Sequence, residues 1–179
     1  MNRNPHRSSR SAGRQPGFTL TEILIVVVIL AILAMIVLPR FADASQAAKG
    51  NLLADHLRLI RSQIAVFRGQ HLEIPPGYPG CDLTAGPTFE AFRTQMTLSS
   101  DADGNLAPVG TPGFSYGPYI PWVPPNPINT LDTVEIIGDG EEFPSEPDDS
   151  DGYIYQPSTL TFKPDCVGTD ENNKSFFDY

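Results

Sequence analysis

Few side chains here have the type and spacing to do chemistry, and the most conspicuous is a single carboxylate. Glu22 stands at the head of a run, Ile23 to Leu38, that contains no charge at all. An ionised carboxylate facing hydrocarbon costs several kcal/mol unless it finds a partner, and none is expected within the segment. Cys81 and Cys166 are the two cysteines, with no Cys-x-x-Cys or neighbouring histidine to suggest a metal or redox motif. Asp101, Asp103 and Asn105 alternate like part of a calcium loop, but the later glutamate and the usual glycine position are missing, which favours a plain turn. His6, His56 and His71 are scattered. No nucleophile–base spacing, phosphate loop or metal-ligand cluster stands out, so no catalytic residue is nominated and the chain reads as a non-enzyme.

The elements that must position these groups follow from charge and hydropathy. All the charges of the first seventeen residues are basic: Arg3, Arg7, Arg10 and Arg14. Phe18 to Leu38 then spans 21 residues, about what a helix needs to cross a ~30 Å hydrocarbon layer. The basic flank belongs on the cytoplasmic side, which puts the C-terminal part outside. Without the four leader arginines, eight basic residues face 21 acidic ones, a net charge of −13. That balance suits solubility and excludes nucleic-acid binding through bulk charge. In an exported domain an even pair of cysteines points to a disulfide, here Cys81–Cys166.

The string Gly17-Phe18-Thr19-Leu20-Thr21-Glu22-Ile23-Leu24-Ile25-Val26 resembles the processing site of type IV prepilins and type II secretion pseudopilins. The resemblance implies that a prepilin peptidase cuts between Gly17 and Phe18 and that the new amine of Phe18 is methylated. It also implies a role for Glu22: the fifth residue of the mature chain meets the N-terminal amine of a neighbouring subunit and sets the register of a filament. Pro39 falls where many pilins carry a helix-loosening proline. An ordinary secretory signal ending at Ala42-Asp43-Ala44 is the rival, but the apolar run is longer than such signals use, and Glu22 is then unexplained.

Beyond Pro39 the pattern becomes amphipathic. Leu53, Leu57, Ile60, Ile64 and Phe67 recur at helical spacing, with Lys49, Asp55, Arg58, Arg61 and Arg68 mostly off the stripe. Gly50 is awkward inside a helix and reads as a place to bend. Phe18 to about Gln70 as one helix would be ~80 Å long. Glu73 to Gly80, rich in proline and glycine, ends it. Phe89 to Leu98 is helical or extended. Gly117 to Pro127 is too proline-rich for a central strand and resembles the segment before the sheet in major pseudopilins. Trp122 inside it reads as a packed aromatic. Thr133 to Ile137 reads as a strand, and Tyr153–Tyr155 with Leu160–Phe162 as a hairpin. Between them lies an acidic loop, Asp139 to Asp151. Major pseudopilins bind calcium in a C-terminal loop, so the resemblance makes Asp148, Asp149 and Asp151 calcium candidates, although the usual family ending is absent.

The expectation is therefore an α+β pilin fold. Residues 1–17 form a removable leader, 18–38 a transmembrane and filament-core helix, 39–71 its amphipathic continuation, and 72–179 a small antiparallel-sheet domain. The expected function is a structural subunit of a type II secretion pseudopilus. A type IV pilus subunit is the alternative, and an exported binding protein or enzyme the alternative of another class. Expected partners are the prepilin peptidase, other subunits and an inner-membrane assembly platform. The expected location is the bacterial inner membrane, then a periplasmic or surface filament.

Overall fold

A computed structural model describes residues 17–179, with the side chains of residues 38–44 outside that description. The basic leader, with His6, therefore lies outside the described residues. The chain divides into two compact units at the Phe41–Ala42 junction. Helix α1 is assigned from Leu20 to Gln70, and its two parts obey different rules.

In the first unit α1 is apolar all round from Ile23 to Val37. Leu20–Val37 is long and apolar enough to cross a membrane, and none of it is buried. A helix that hides no face within its own fold must find lipid or other chains to cover it. Pro39 falls within the span of α1, and its side chain is among those not described.

In the second unit the predicted stripe is the core. Leu53, Leu57, Ile60, Ile64 and Phe67 are all buried, each such side chain contributing up to ~1.5–3 kcal/mol. Gly50 has a packing role rather than a bending one: a Cβ there would meet Phe176 Cε1 and Tyr179 Oη at 3.4 Å. Its missing side chain lets the C-terminal aromatics close on α1. The helix ends without a glycine, through Leu72 and Glu73 at positive φ, before Pro75 and Pro76.

Helix α2, Phe89–Thr97, begins where Thr88 Oγ1 accepts from the Ala91 amide at 3.2 Å. It buries Phe92, Gln95 and Met96. Strands β1 (Ser99–Ser100) and β2 (Leu106–Ala107) pair antiparallel. Between them the Asp101–Asn105 stretch is a turn, with Asp101 Oδ1 accepting from the amides of Asp103 and Asn105. Gly117 is required here, since a Cβ at this residue would lie 2.5 Å from the Leu98 carbonyl oxygen.

Strands β3 (Val134–Ile136), β4 (Tyr153–Gln156) and β5 (Thr161–Pro164) form the second sheet, in that order. The expected hairpin is β4–β5, antiparallel, with Tyr155 opposite Phe162. The expected α+β arrangement of an apolar N-terminal helix with small antiparallel pairs is present, and the one departure is that β3 runs parallel to β4. A parallel pair needs a crossover of a dozen or more residues, and the long acidic connection between β3 and β4 supplies it. Tyr153, Tyr155 and Phe162 pack inward with α1 and α2. Ile154 points to the other face, where Ile137, Phe177 and Phe143 cover it.

Candidate functional site

The start of α1 is built by a capping box. Thr19 precedes the helix, and both its amide and its hydroxyl donate to Glu22 Oε2 at 2.8 Å. The Glu22 amide donates back to Thr19 Oγ1 at 3.2 Å. Orphan amides at a helix N-terminus must be satisfied, and a Thr-x-x-Glu sequence satisfies two reciprocally. Both bonds to the carboxylate use Oε2, so Oε1 carries no partner among the described residues. The Thr19-x-x-Glu22 spacing stands in the sequence, and it corrects the expectation that Glu22 finds no partner within its own segment: Thr19 is that partner.

Apart from Thr19, Thr21 and Glu22, the described residues from Phe18 to Val37 are apolar. Phe18 is 81% exposed and the side chains from Ile23 to Val37 line an uncovered apolar surface. Gly17, Phe18 and Thr19 are non-helical and exposed, so the Gly17–Phe18 peptide lies on accessible chain before a helix. The arrangement places the accessible Gly17–Phe18 peptide, a carboxylate with a spare acceptor oxygen and an apolar helix within a few residues of one another.

The remaining residues nominated from sequence are not brought together. Cys81 and Cys166 are free thiols, in place of the expected disulfide. Each sulfur has its own surroundings. Cys81 sits at positive φ beside Gln95, 3.8 Å from Nε2, and against Gly104, whose absent Cβ would otherwise strike Sγ. Cys166 is wholly buried in the core. Burial pushes the Cys166 thiol up to about 11, with Asp149 and Asp165 adding to the effect. Burial, with Asp101, also raises Cys81. Both are therefore protonated and unreactive near neutrality.

Asp148, Asp149 and Asp151 do not converge on a common point. Among the described residues no group of three or more His, Cys, Asp or Glu is placed to hold a metal. The backbone of this loop wraps instead around Asp165, a fully buried carboxylate that sequence reasoning passed over. Asp165 Oδ1 accepts from the amides of Asp148 and Asp149 at 2.9 and 3.3 Å, and Oδ2 from Asp151 at 3.0 Å. Nothing in the sequence marks this aspartate, because its partners are backbone atoms brought in by the crossover.

His71 is likewise structural. It is buried and stacked on Phe67 at 4.0 Å. Nδ1 lies 2.8 Å from the Phe67 carbonyl, which can only accept, so Nδ1 donates and Nε2 accepts from Ser100 Oγ at 3.0 Å. Trp122 is not packed, being 64% exposed on a surface hollow with Phe89 and Arg93.

Comparison with known proteins agrees with the geometry at the helix start. Residues 13–38 match the family description "Prokaryotic N-terminal methylation motif". The chain is 30% identical over 109 residues to the type IV narrow pilus major component PilA5 of Thermus thermophilus, covering 56% of this chain and 90% of that protein. No solved structure matches the chain.

Proposed function

The chain belongs to the type IV pilin family, a family of structural proteins, and from that premise we propose that it is the polymerising subunit of a type IV pilus-type filament. The observation that carries the reading is one exposed apolar helix headed by one carboxylate, Glu22, directly after the Gly17–Phe18 junction. The precursor sits in the inner membrane with its C-terminal unit outside. Prepilin peptidase cuts after Gly17, the new Phe18 amine is methylated, and an assembly platform draws the subunit out of the lipid. Burial of helix against helix, at ~25 cal/mol per Å² of apolar area, then compensates for leaving the bilayer. Glu22 Oε1 accepts from the Phe18 amine of a neighbouring subunit, and this charge pair sets the axial register.

Similarity across nine-tenths of a pilus component favours a pilus over a type II secretion pseudopilus. The pseudopilus reading keeps one specific support, the Gly117-Pro118-Tyr119 to Asn126 string. Imaging separates the two: a pilus extends from the cell surface, whereas a pseudopilus at native expression stays periplasmic. The filament reading itself is tested by the mass of the mature N-terminus and by Glu22→Ala. N-methylated Phe18 with processing intact but assembly lost in the variant is the expected result. A mature chain starting at Ser45, or wild-type filament yield from Glu22→Ala, overturns the reading.

A further inference from the structure

A hollow of ≈ 410 Å³ lies on the second unit, lined by Ala54, Leu57, Arg58, Arg61, Lys174 and Tyr179. Ala54 and Leu57 give it an apolar side and Arg58, Arg61 and Lys174 a cationic one, with Asp55 beside Arg58 and Asp170 accepting from the Tyr179 hydroxyl at 2.8 Å. Arg58 is highly exposed and, among the described residues, shares its charge only with Asp55, itself in solvent. Such exposed pairs are weak and easily exchanged. Arg61 donates to the main-chain oxygens of Phe162 and Tyr179, and Lys174 lies over the Tyr179 ring, Nζ 4.6 Å from its centre. Neither cation meets a carboxylate side chain among the described residues.

We propose that this hollow is the docking site for the acidic loop, residues 139–151, of a second copy of the chain. The inference rests on the filament reading above. A helical polymer is built from heterologous contacts, in which two different patches of one chain must be complementary. The loop fits that role. Asp139 accepts from Tyr78, Glu141 from the Gly138 amide, Asp148 from the Ser150 amide and Asp149 from Asn129. Those carboxylates are engaged at home. Glu142 and Glu146 are exposed and have no partner among the described residues. The loop that carries them is held in shape by Asp165 beneath its backbone, by Gln156 Nε2 on the Glu141 carbonyl at 2.9 Å, and by Phe143 against Phe177. No ion pair among the described residues joins loop and hollow within one chain. Subunits of net charge −13 after processing repel one another, and setting the free acids of one into the cationic hollow of the next turns repulsion into register.

The test is a charge swap in cells that assemble the filament. Arg58→Glu with Lys174→Glu should lower sheared filament yield about tenfold, since like charges facing across an interface are strongly unfavourable. Adding Glu142→Lys and Glu146→Lys should restore most of it. Arg61 is left alone because it holds Phe162. Unchanged yield in the reversed chain, or no recovery in the fourfold variant while its thermal unfolding matches wild type, overturns the docking alone. An absence of filaments from wild type overturns the filament reading and this inference with it. Independently, Lys174→Cys with Glu142→Cys should give an oxidative ladder of multimers in sheared filaments, with each single variant remaining monomeric. No ladder from intact filaments also overturns the docking.

Discussion

Thr19 and Glu22 close a reciprocal ring at the head of α1, in which threonine donates twice to one carboxylate oxygen and takes one amide in return. The ring does two things at once. It caps the helix, and it orients a carboxylate whose second oxygen has no partner among the described residues.

Thr19→Val removes both the cap acceptor and a donor to Glu22. Loss of such a cap costs about 1 kcal/mol of helix stability, and it also lets the carboxylate swing. Cleavage after Gly17 should persist while filament yield falls, though less than in Glu22→Ala. Mass spectrometry and quantified filament shearing check both halves, and yield equal to wild type would remove the positioning role.

Asp165→Asn replaces an acceptor of three backbone amides with a group that has one acceptor oxygen and two N–H bonds of its own. Leaving buried donors unpaired costs about 1–3 kcal/mol each. Destabilisation by roughly 2–4 kcal/mol is expected on that basis, with accelerated hydrogen exchange at Asp148, Asp149 and Asp151. Denaturant unfolding in detergent and exchange mass spectrometry measure it.

Gly50 should tolerate alanine and refuse leucine. An alanine Cβ meets Phe176 and Tyr179 at ordinary contact, 3.4 Å, and gains up to ~1 kcal/mol of helix propensity. Leucine forces the C-terminal aromatics off α1, at a cost of about 1–3 kcal/mol. Thermal unfolding of the pair separates a packing glycine from a hinge, since a hinge would be stiffened by alanine and impair assembly.

The two thiols should stay reduced and slow. Non-reducing electrophoresis should show no mobility change on adding reductant, and alkylation at pH 7.5 should modify Cys81 before Cys166. Because the folded Cys166 is raised to about 11, its contribution to stability is full below the unfolded value near 9. That contribution is lost as pH rises through about 11, since the unfolded chain ionises first. The buried phenols of Tyr153 and Tyr155, raised by the same desolvation, act in the same direction. Unfolding free energy should therefore fall between pH 9 and 11. A flat profile there would contradict the burial.

Much of this architecture could be read before the fold was seen. The stripe Leu53 to Phe67 is the core face of α1 because burial on one side of a helix imposes its period on the sequence. Tyr153–Tyr155 and Leu160–Phe162 are a hairpin because alternation and turn residues are local signals. The parallel placement of β3 could not be read, since a strand of three residues carries no mark of which neighbour it joins. The contact of Gly50 with Phe176 and Tyr179 and the exposure of Trp122 could not be read either, because whether a residue is packed depends on which other parts of the chain arrive beside it.

By itself the sequence determined that one long apolar run, Ile23 to Leu38, carries no charge, with a single carboxylate at its head and the Gly17–Phe18 junction before it. Charge and hydropathy are properties of residues, and they need no partner to be legible. Only the tertiary structure decided that the acidic loop is wrapped around Asp165 and that Cys81 and Cys166 each pack in surroundings of their own, with no disulfide between them. Those are contacts between atoms distant in the chain or in backbone groups common to every residue. Their geometry is set by closing the core, and residue identity alone does not carry it.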